Sequence, residues 1–396
     1  MLHAGAGKVD ITPPRSIYIA GFDRHRISEG VRDPIYARAV VVDDDSATLA
    51  LISADLIGLF KDDIDLIRKE VALRVGLRED MIVITATHNH QGPDTLGFWG
   101  TDDKSGADEG YVNSLPDLIT TAVESAVQTT RSCSLKFGST MVDRRGLVRN
   151  TRSSGLVDRQ LSVLTFENDE RIATIVNFGL HPETLGGWNR LISSDFVGRL
   201  CSEVERDSEV AMFVNGALAG VTPRVVPDGD ANECIHVGTR LALYAADAMS
   251  HALPVEDVTI KRMCEQFNLK VENKRFHELA QTGVLRRRLS NGTTVRTEVG
   301  LTSLGKRVQI AEIPGEVFPE QGIQLKAAMA SQARLVFCLA NDNIGYIVPE
   351  SQWDDQKYEE TMSVSKSAAV EVFETLLEMI RRPDSPKLTE EMTPRL

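Results

Sequence analysis

Two closely spaced histidines, His88 and His90, follow an apolar stretch in the segment TATHNHQGPD. The apolar residues predict a buried strand, and side chains two positions apart in a strand lie on the same face. Neutral imidazole is a common zinc ligand, so two rings side by side at a strand end favour metal binding or acid-base chemistry. The bare HxH pattern is also compatible, though less so, with two structural histidines, each buried against a polar partner.

A third histidine has a similar setting. The apolar run IATIVNF leads into NFGLHPETLGG, where His181 is followed by a proline and two glycines. Loops at strand ends hold functional groups on a rigid base, so two strands that each carry a histidine into a turn predict one ligand site at a sheet edge. Taken alone, His181 could simply cap a turn.

The elements that position these histidines follow from hydrophobic periodicity. Residues 36–56 predict two strands joined at Asp43 to Ser46, and the segment 62–87 predicts a helix (62–75) followed by a strand (81–87). Further predicted strands cover 161–166, 172–178, 210–216, 307–313 and 334–340; further predicted helices cover 111–128, 194–207, 234–250, 319–331 and 361–381. We expect an α/β fold with mixed β-sheets, flanking helices and a zinc site at the strand ends.

The chain is expected to form one large catalytic domain over residues 1–382. The segment 256–300 has weaker apolar periodicity, which predicts a helical excursion or a small subdomain. The tail 383–396 is rich in proline and charge and is expected to be mobile. Packing of this tail, or of the apolar face of the helix at 361–381, on a second copy would produce a homo-oligomer.

Composition excludes several classes of function. The formal net charge of −13 disfavours nucleic acid and anionic lipid as partners, and 42% apolar residues are enough for a large core. No apolar run of about 18 residues occurs and the first residues lack a signal-peptide pattern, so we expect a cytoplasmic protein without stable membrane insertion. The five cysteines are widely spaced without a CxxC pair, which favours buried free thiols.

Several blocks of the sequence resemble the neutral/alkaline non-lysosomal ceramidase family. They stand in the family's order between residues 4 and 360: GAGKVDITPP, AGF, YARAVVV, LISADL, THNHQGP, VDRQLSVLTFEN, NFGLHPETLGG, LISSDFVG, FVNGALAGVTP, EIPGEVF, NDNIGYIVP and QKYEE. The resemblance implies a zinc-dependent amidohydrolase that cleaves an amide (N-acyl) or ester bond of a small molecule with a metal-activated water.

The resemblance also implies roles for individual residues. The implied zinc ligands are His88, His181, Glu316 of the PGE block and Tyr346 of NDNIGYIVP. His90 would contact the substrate or carry a proton, and Tyr358 of QKYEE would donate to an oxyanion. A substrate-binding arginine falls in LVRNTRS, where Arg149 and Arg152 are both candidates.

The sequence departs from the family pattern close to the implied metal. Gly220 replaces an acidic residue, Thr222 replaces a serine, and Asn343 replaces the first tyrosine of the family's NxYxxY block. Threonine keeps a hydroxyl group, so Thr222 joins the candidate catalytic residues. These changes, and a chain that stops soon after the implied catalytic domain, predict a substrate smaller than ceramide.

Two other functions remain open. A zinc site of this composition could polarise a sugar hydroxyl or carbonyl group, as in a glycosidase or a lyase. The departures at Gly220 and Thr222 are also compatible with a binding protein of the same fold that has lost its chemistry. Glycoside turnover without amide hydrolysis would indicate the first, and a purified protein that binds little zinc would indicate the second.

Overall fold

The apolar runs near the N-terminus form a five-stranded mixed sheet. The computed structural model describes residues 1–153, 155–224 and 231–382. The first sheet has the strand order β5 (Ile82–Ala86), β4 (Thr48–Ala54), β3 (Tyr36–Asp43), β1 (His3–Asp10) and β6 (Arg131–Ser132). β4 and β5 are parallel and the other neighbours are antiparallel. Both faces of the central strands are apolar, so both must be covered.

Two helices cover the outer face of the first sheet. α1 (Lys61–Val75) ends at Gly76, and α2 (Glu109–Gln128) begins at Asp108, whose side chain accepts a hydrogen bond from the backbone N–H of Tyr111. A side chain that accepts a hydrogen bond at this position satisfies one of the free N–H groups at the start of the helix. Apolar residues of both helices share one core with alternate residues of β3, β4 and β5.

A second sheet packs on the inner face of the first. Its strand order is β12 (Val210–Asn215), β10 (Arg171–Phe178), β9 (Gln160–Glu167), β7 (Ser134–Met141) and β14 (Leu253–Val255). Its outer face is covered by α3 (Asp195–Val204) and α4 (Ala231–Ser250). The molecule is therefore built as helices, sheet, sheet and helices, with one apolar core between the two sheets.

A third sheet contains strands that the sequence analysis missed. Its order is β15 (Ile260–Lys270), β16 (Thr294–Leu304), β17 (Val308–Glu312) and β19 (Ala333–Phe337). β15 and β16 pair over their whole length, and α5 (Lys274–Gln281) lies between them in the chain. The segment 256–300 is thus a strand pair of this sheet with one short helix, where we had predicted a helical excursion or a subdomain. Its apolar periodicity is weak because β15 is half exposed and β16 buries polar side chains.

The C-terminal helices differ from the prediction of one helix over 361–381. α6 (Pro319–Ala328) is followed by α7 (Tyr358–Thr361) and α8 (Ala368–Arg381). The helical conformation is interrupted between α7 and α8, because the carbonyl oxygen of Val364 accepts hydrogen bonds from the backbone N–H groups of Glu272 and Asn273. The apolar face of α8 packs against the third sheet of the same chain, which removes that argument for self-association. The homo-oligomer stays a prediction.

The remaining strands form three short pairs. They are β2 (Gly30–Val31) with β11 (Leu191–Ile192), β8 (Val148–Asn150) with β13 (Val221–Pro223), and β18 (Glu316–Val317) with β20 (Tyr346–Ile347). The other predicted strands and helices are present, with ends that differ by three residues or fewer. No helix of the described chain is long and apolar enough to cross a membrane. The predicted tail, 383–396, lies outside the described residues.

Candidate metal centre

His88 lies in the loop after β5 and not in the strand itself. Its backbone has φ = 65°, and the N–H of Asn89, the next residue, donates to the carbonyl oxygen of Leu56. The Nδ1 atom of His88 is 2.7 Å from the carbonyl oxygen of Ile57. A carbonyl oxygen only accepts, so this contact places the proton on Nδ1 and leaves the lone pair on Nε2. The prediction that His88 and His90 share a strand face was wrong, although both rings line one cavity.

His181 is fixed in a similar way after β10. The carbonyl oxygen of Val221 accepts the backbone N–H of His181 at 3.0 Å and lies 2.9 Å from its Nδ1 atom. Val221 belongs to β13, so the loop after β10 is tied to a neighbouring strand at two points. As in His88, this contact places a proton on Nδ1, so Nε2 is the nitrogen that can bind a metal ion once any proton on it is released.

Glu316 brings a carboxylate between the two imidazoles. The parallel register of β18 and β20 sets Glu316 beside Tyr346, and the backbone N–H of Glu316 donates to the carbonyl oxygen of Gly345. Its Oε1 atom is 3.4 Å from Nε2 of His88, and its Oε2 atom is 3.0 Å from Nε2 of His181. Both carboxylate oxygens therefore face imidazole nitrogens, and Oε2 is buried. Three potential ligand groups therefore converge on one point.

The pKa shifts of these groups are those expected of a site where a metal ion displaces a proton. Burial lowers the pKa of His88, and the charge of Glu316 only partly opposes this. Burial also disfavours a charged His181, but its hydrogen bond to Glu316 and the charge of that carboxylate raise its pKa to about 9. The pKa of Glu316 is lowered, because the charge of His88 and the hydrogen bond from His181 outweigh burial. A metal ion binding here would displace the proton of His181.

The two predicted tyrosines lie at different depths. Tyr346 is buried and hydrogen-bonded to Glu316, and burial raises its pKa well above the usual value. Tyr358 begins α7 at the mouth of the cavity, with 60% of its surface exposed. The ring centroids are 6.1 Å apart. Tyr346 is thus placed next to the three converging groups, and Tyr358 lies on the exposed part of the same cavity lining.

His90 contacts the other histidines but is held differently. Its ring centroid lies 4.8 Å from that of His88 and 5.5 Å from that of His181. One ligand atom from each of the three histidines falls within 4.8 Å of the others, so this cluster could hold a metal ion. Both ring nitrogens of His90 are buried without a hydrogen-bond partner in the described chain, and burial lowers its pKa well below the usual value. No backbone carbonyl fixes its tautomer, in contrast to the other two rings.

The loop that carries His90 rests on a buried arginine that the sequence analysis did not identify. Arg26 donates from Nη2 to the carbonyl oxygens of His90 and Ala20, and from Nη1 to that of Asn189. Burial lowers its pKa to about 10, since carbonyl oxygens and not a carboxylate surround it. The segment GFDRHR gives no periodic or spacing signal, so only the three-dimensional contacts assign this role.

The structure separates the two candidate arginines. Arg152 is paired with Glu360 at 2.6 and 2.9 Å and with Glu359 at 3.1 Å, so its charge is already neutralised. Arg149 is exposed and donates from Nε to the Oγ1 atom of Thr222 at 3.1 Å, because β8 and β13 set these residues opposite each other. Thr222 lines the cavity and neither arginine does. Each arginine thus contacts a residue of the cavity wall, Thr222 for Arg149 and Glu359 for Arg152, and of the two only Arg152 forms ion pairs within the described residues.

The converging groups form one wall of a cavity of about 220 Å³. The rest of the lining includes apolar and mostly aromatic side chains, namely Phe60, Leu96, Phe98, Trp99, Phe276 and Met362. Phe98 and Trp99 come from the loop between β5 and α2. Phe276 comes from α5, in the segment whose strands were missed. A polar reaction centre thus faces a hydrophobic binding surface.

The sequence matches the family described as neutral/alkaline non-lysosomal ceramidase, N-terminal, over residues 2–238, more than half of the chain. The chain belongs to this ceramidase family. Among solved structures, a neutral ceramidase from Pseudomonas aeruginosa is similar with a TM-score of 0.82 at 17% identity, over 100% of this chain and 76% of that one. A structure described as ceramidase complexed with C2 gives the same TM-score and identity, over 100% of this chain and 77% of that one. At this identity the likeness shows a shared fold.

Membership of the ceramidase family indicates a hydrolase of amide bonds. The residues present fit a divalent metal: two imidazole Nε2 atoms, whose Nδ1 atoms are held by backbone carbonyl oxygens, face the two oxygens of one buried carboxylate. A set of two nitrogens and one carboxylate suits zinc better than calcium or magnesium, which prefer oxygen ligands.

Proposed function

We propose that this member of the ceramidase family is a zinc-dependent hydrolase that cleaves the amide or ester bond of an acyl substrate smaller than ceramide. The observation that carries the proposal is the convergence of His88 and His181 Nε2 atoms on the Glu316 carboxylate at a cavity wall. Two histidines and a glutamate are a donor set of catalytic zinc sites, with a position left for water. Tyr346, hydrogen-bonded to Glu316, would be the fourth protein ligand.

Zinc held by these residues would polarise the substrate carbonyl and make a water molecule nucleophilic near neutral pH. His90 lines the same cavity with no fixed hydrogen bond on either nitrogen in the described chain, so it can take a proton and pass it to the leaving group. Tyr358 at the mouth would donate its hydroxyl hydrogen to the developing oxyanion. Thr222, held by Arg149, would orient polar groups of the substrate.

The size of the cavity supports a small substrate. Ligand pockets of ordinary size enclose about 300–1,000 Å³, and this cavity has about 220 Å³. Its aromatic wall, which includes Phe60 and Phe276, would hold the acyl group, while the scissile carbonyl would face His88 and His181. A second long chain would have to extend beyond the described cavity. The wall at Gly220 and Thr222 offers a hydroxyl group and no carboxylate.

A substrate screen combined with metal analysis tests this function. Purified protein would be assayed with N-acyl, ester and glycoside chromogenic substrates before and after chelation, and after zinc is restored. We expect chelator-sensitive cleavage of N-acyl or ester substrates that His88→Ala and Glu316→Ala both abolish. Turnover of glycosides alone, or cleavage that survives chelation and both substitutions, would refute the proposal.

A further inference from the structure

Glu183 is a carboxylate on the cavity wall that the zinc site does not use. It follows Pro182 directly, and its backbone N–H donates to the carbonyl oxygen of His181 at 3.0 Å. Its Oε2 atom lies 3.4 Å from Nδ1 of His90, the one ion-pair contact of this carboxylate within the described chain. Its side chain is only 20% exposed, so water solvates it poorly. A half-buried carboxylate beside an unpaired imidazole needs an explanation.

The backbone around His90 is fixed to the same turn. The N–H of His90 donates to the carbonyl oxygen of Pro182 at 3.0 Å, and its own carbonyl oxygen accepts from Nη2 of Arg26 at 2.7 Å. The ring packs edge-on against Phe22 at a centroid distance of 5.3 Å. Main chain and packing therefore place the ring next to Glu183, while neither ring nitrogen has another partner in the described residues.

We propose that Glu183 is a positioning residue for His90, whose Nδ1–H it accepts, so that Nε2 exchanges the proton with the substrate. This inference rests on the proposed hydrolase function. A distance of 3.4 Å is long for a hydrogen bond, but such contacts in ligand-free enzymes often tighten when the substrate binds. A carboxylate on one imidazole nitrogen fixes the tautomer and stabilises the imidazolium that forms transiently.

The proton balance of hydrolysis defines what Glu183 would do. As water adds to the carbonyl carbon, Nε2 of His90 takes a proton from it. As the C–N bond breaks, the same proton passes to the leaving nitrogen, which gives a carboxylic acid and an amine. Glu183 keeps its contact with Nδ1 of His90 through both transfers, and its carboxylate lowers the energy of the charged imidazolium between them. Proton donation matters most when the leaving group is a poor one.

The dependence on the leaving group provides the test. Wild-type protein and Glu183→Gln would be compared on an anilide and a nitrophenyl ester that share one acyl group. Nitrophenolate can leave without being protonated, whereas an amine must receive a proton as the C–N bond breaks. We therefore expect kcat for the anilide to fall on the order of 10²-fold and kcat for the ester to fall less than about tenfold. KM should stay nearly the same for both, because the carboxylate does not bind the acyl group. Glu183→Asp, which keeps the charge, should recover part of the anilide activity.

Glu359→Gln is the matched control, since Glu359 lines the same cavity but pairs with Arg152 and not with His90. It should change the anilide and ester rates by one common factor. Equal losses on both substrates in Glu183→Gln, or a loss of bound zinc in that variant, would overturn the positioning role and leave the hydrolase function standing. Wild-type protein that cleaves neither substrate would instead overturn the proposed function.

Discussion

The most specific structural consequence concerns Gly21, which lies against His90. Gly21 has φ = 100°, and an added Cβ would lie 2.5 Å from Cβ and 2.7 Å from Cα of His90. Carbon atoms approach to about 3.5–4.0 Å without repulsion. Gly21→Ala must therefore displace His90, its own loop, or both by about 1 Å, and a shift of that size at a reacting group reduces rates by roughly 10²-fold.

The assay for Gly21→Ala has three readouts, namely kcat/KM on an anilide, bound zinc, and the free energy of unfolding. We expect a loss of about 10²-fold in kcat/KM and a destabilisation of about 1–3 kcal/mol from the left-handed backbone. Bound zinc should be unchanged, because the three atoms nearest to the added Cβ all belong to His90. Gly76→Ala is the matched control: Gly76 has φ = 80° with nothing within 4 Å of an added Cβ. It should lose stability and keep its activity.

Two results would refute this reasoning. Full activity in Gly21→Ala would mean that the position of His90 is irrelevant to catalysis. Loss of zinc in Gly21→Ala, with zinc retained in Gly76→Ala, would mean that His90 is a metal ligand and that its proposed role in proton transfer is wrong.

Three further outcomes are expected. Glu298→Gln should destabilise the protein by about 3–5 kcal/mol in guanidinium unfolding, because this buried carboxylate receives a bidentate pair from Arg68. Burial alone would raise the pKa of Glu298, but Arg68 holds that pKa well below the ordinary value of a glutamate. The stabilisation is therefore complete above the ordinary pKa of a glutamate and is lost as the pH falls, so wild-type protein should be more acid-sensitive than the variant. Phe276→Ala should raise KM for substrates with large acyl groups more than for acetyl substrates, which a KM series would measure. Arg149→Met should raise KM with little change in stability, whereas Arg152→Met should mainly lower the melting temperature, because it leaves two carboxylates unpaired.

Much of the fold was predictable because strongly apolar segments reveal their periodicity. The strands at 36–43, 48–54 and 82–86 and the helix at 61–75 were predicted to within two residues. β15 and β16 were missed, since β16 buries Glu298 and other polar side chains that only contacts with another part of the chain can satisfy. Sequence patterns cannot show such pairing between distant segments.

The candidate site was only partly predictable. Motif order indicated His88, His181, Glu316 and Tyr346, and the structure brings these four together. The left-handed backbone conformation of His88 was not predicted. A single residue with positive φ after a strand does not change the alternation of apolar and polar residues from which strands are predicted. Glu183 and Arg26 were also missed.

Metal content tests the central claim most directly. Purified protein would be stripped with chelator, loaded with zinc, desalted and measured by elemental analysis beside His181→Ala and Glu316→Gln, with folding checked by circular dichroism. The zinc site predicts about one ion per folded wild-type chain and far less in both variants. Folded wild-type protein that retains no zinc, or variants that retain as much as wild type, would contradict the assignment of His181 and Glu316 as ligands.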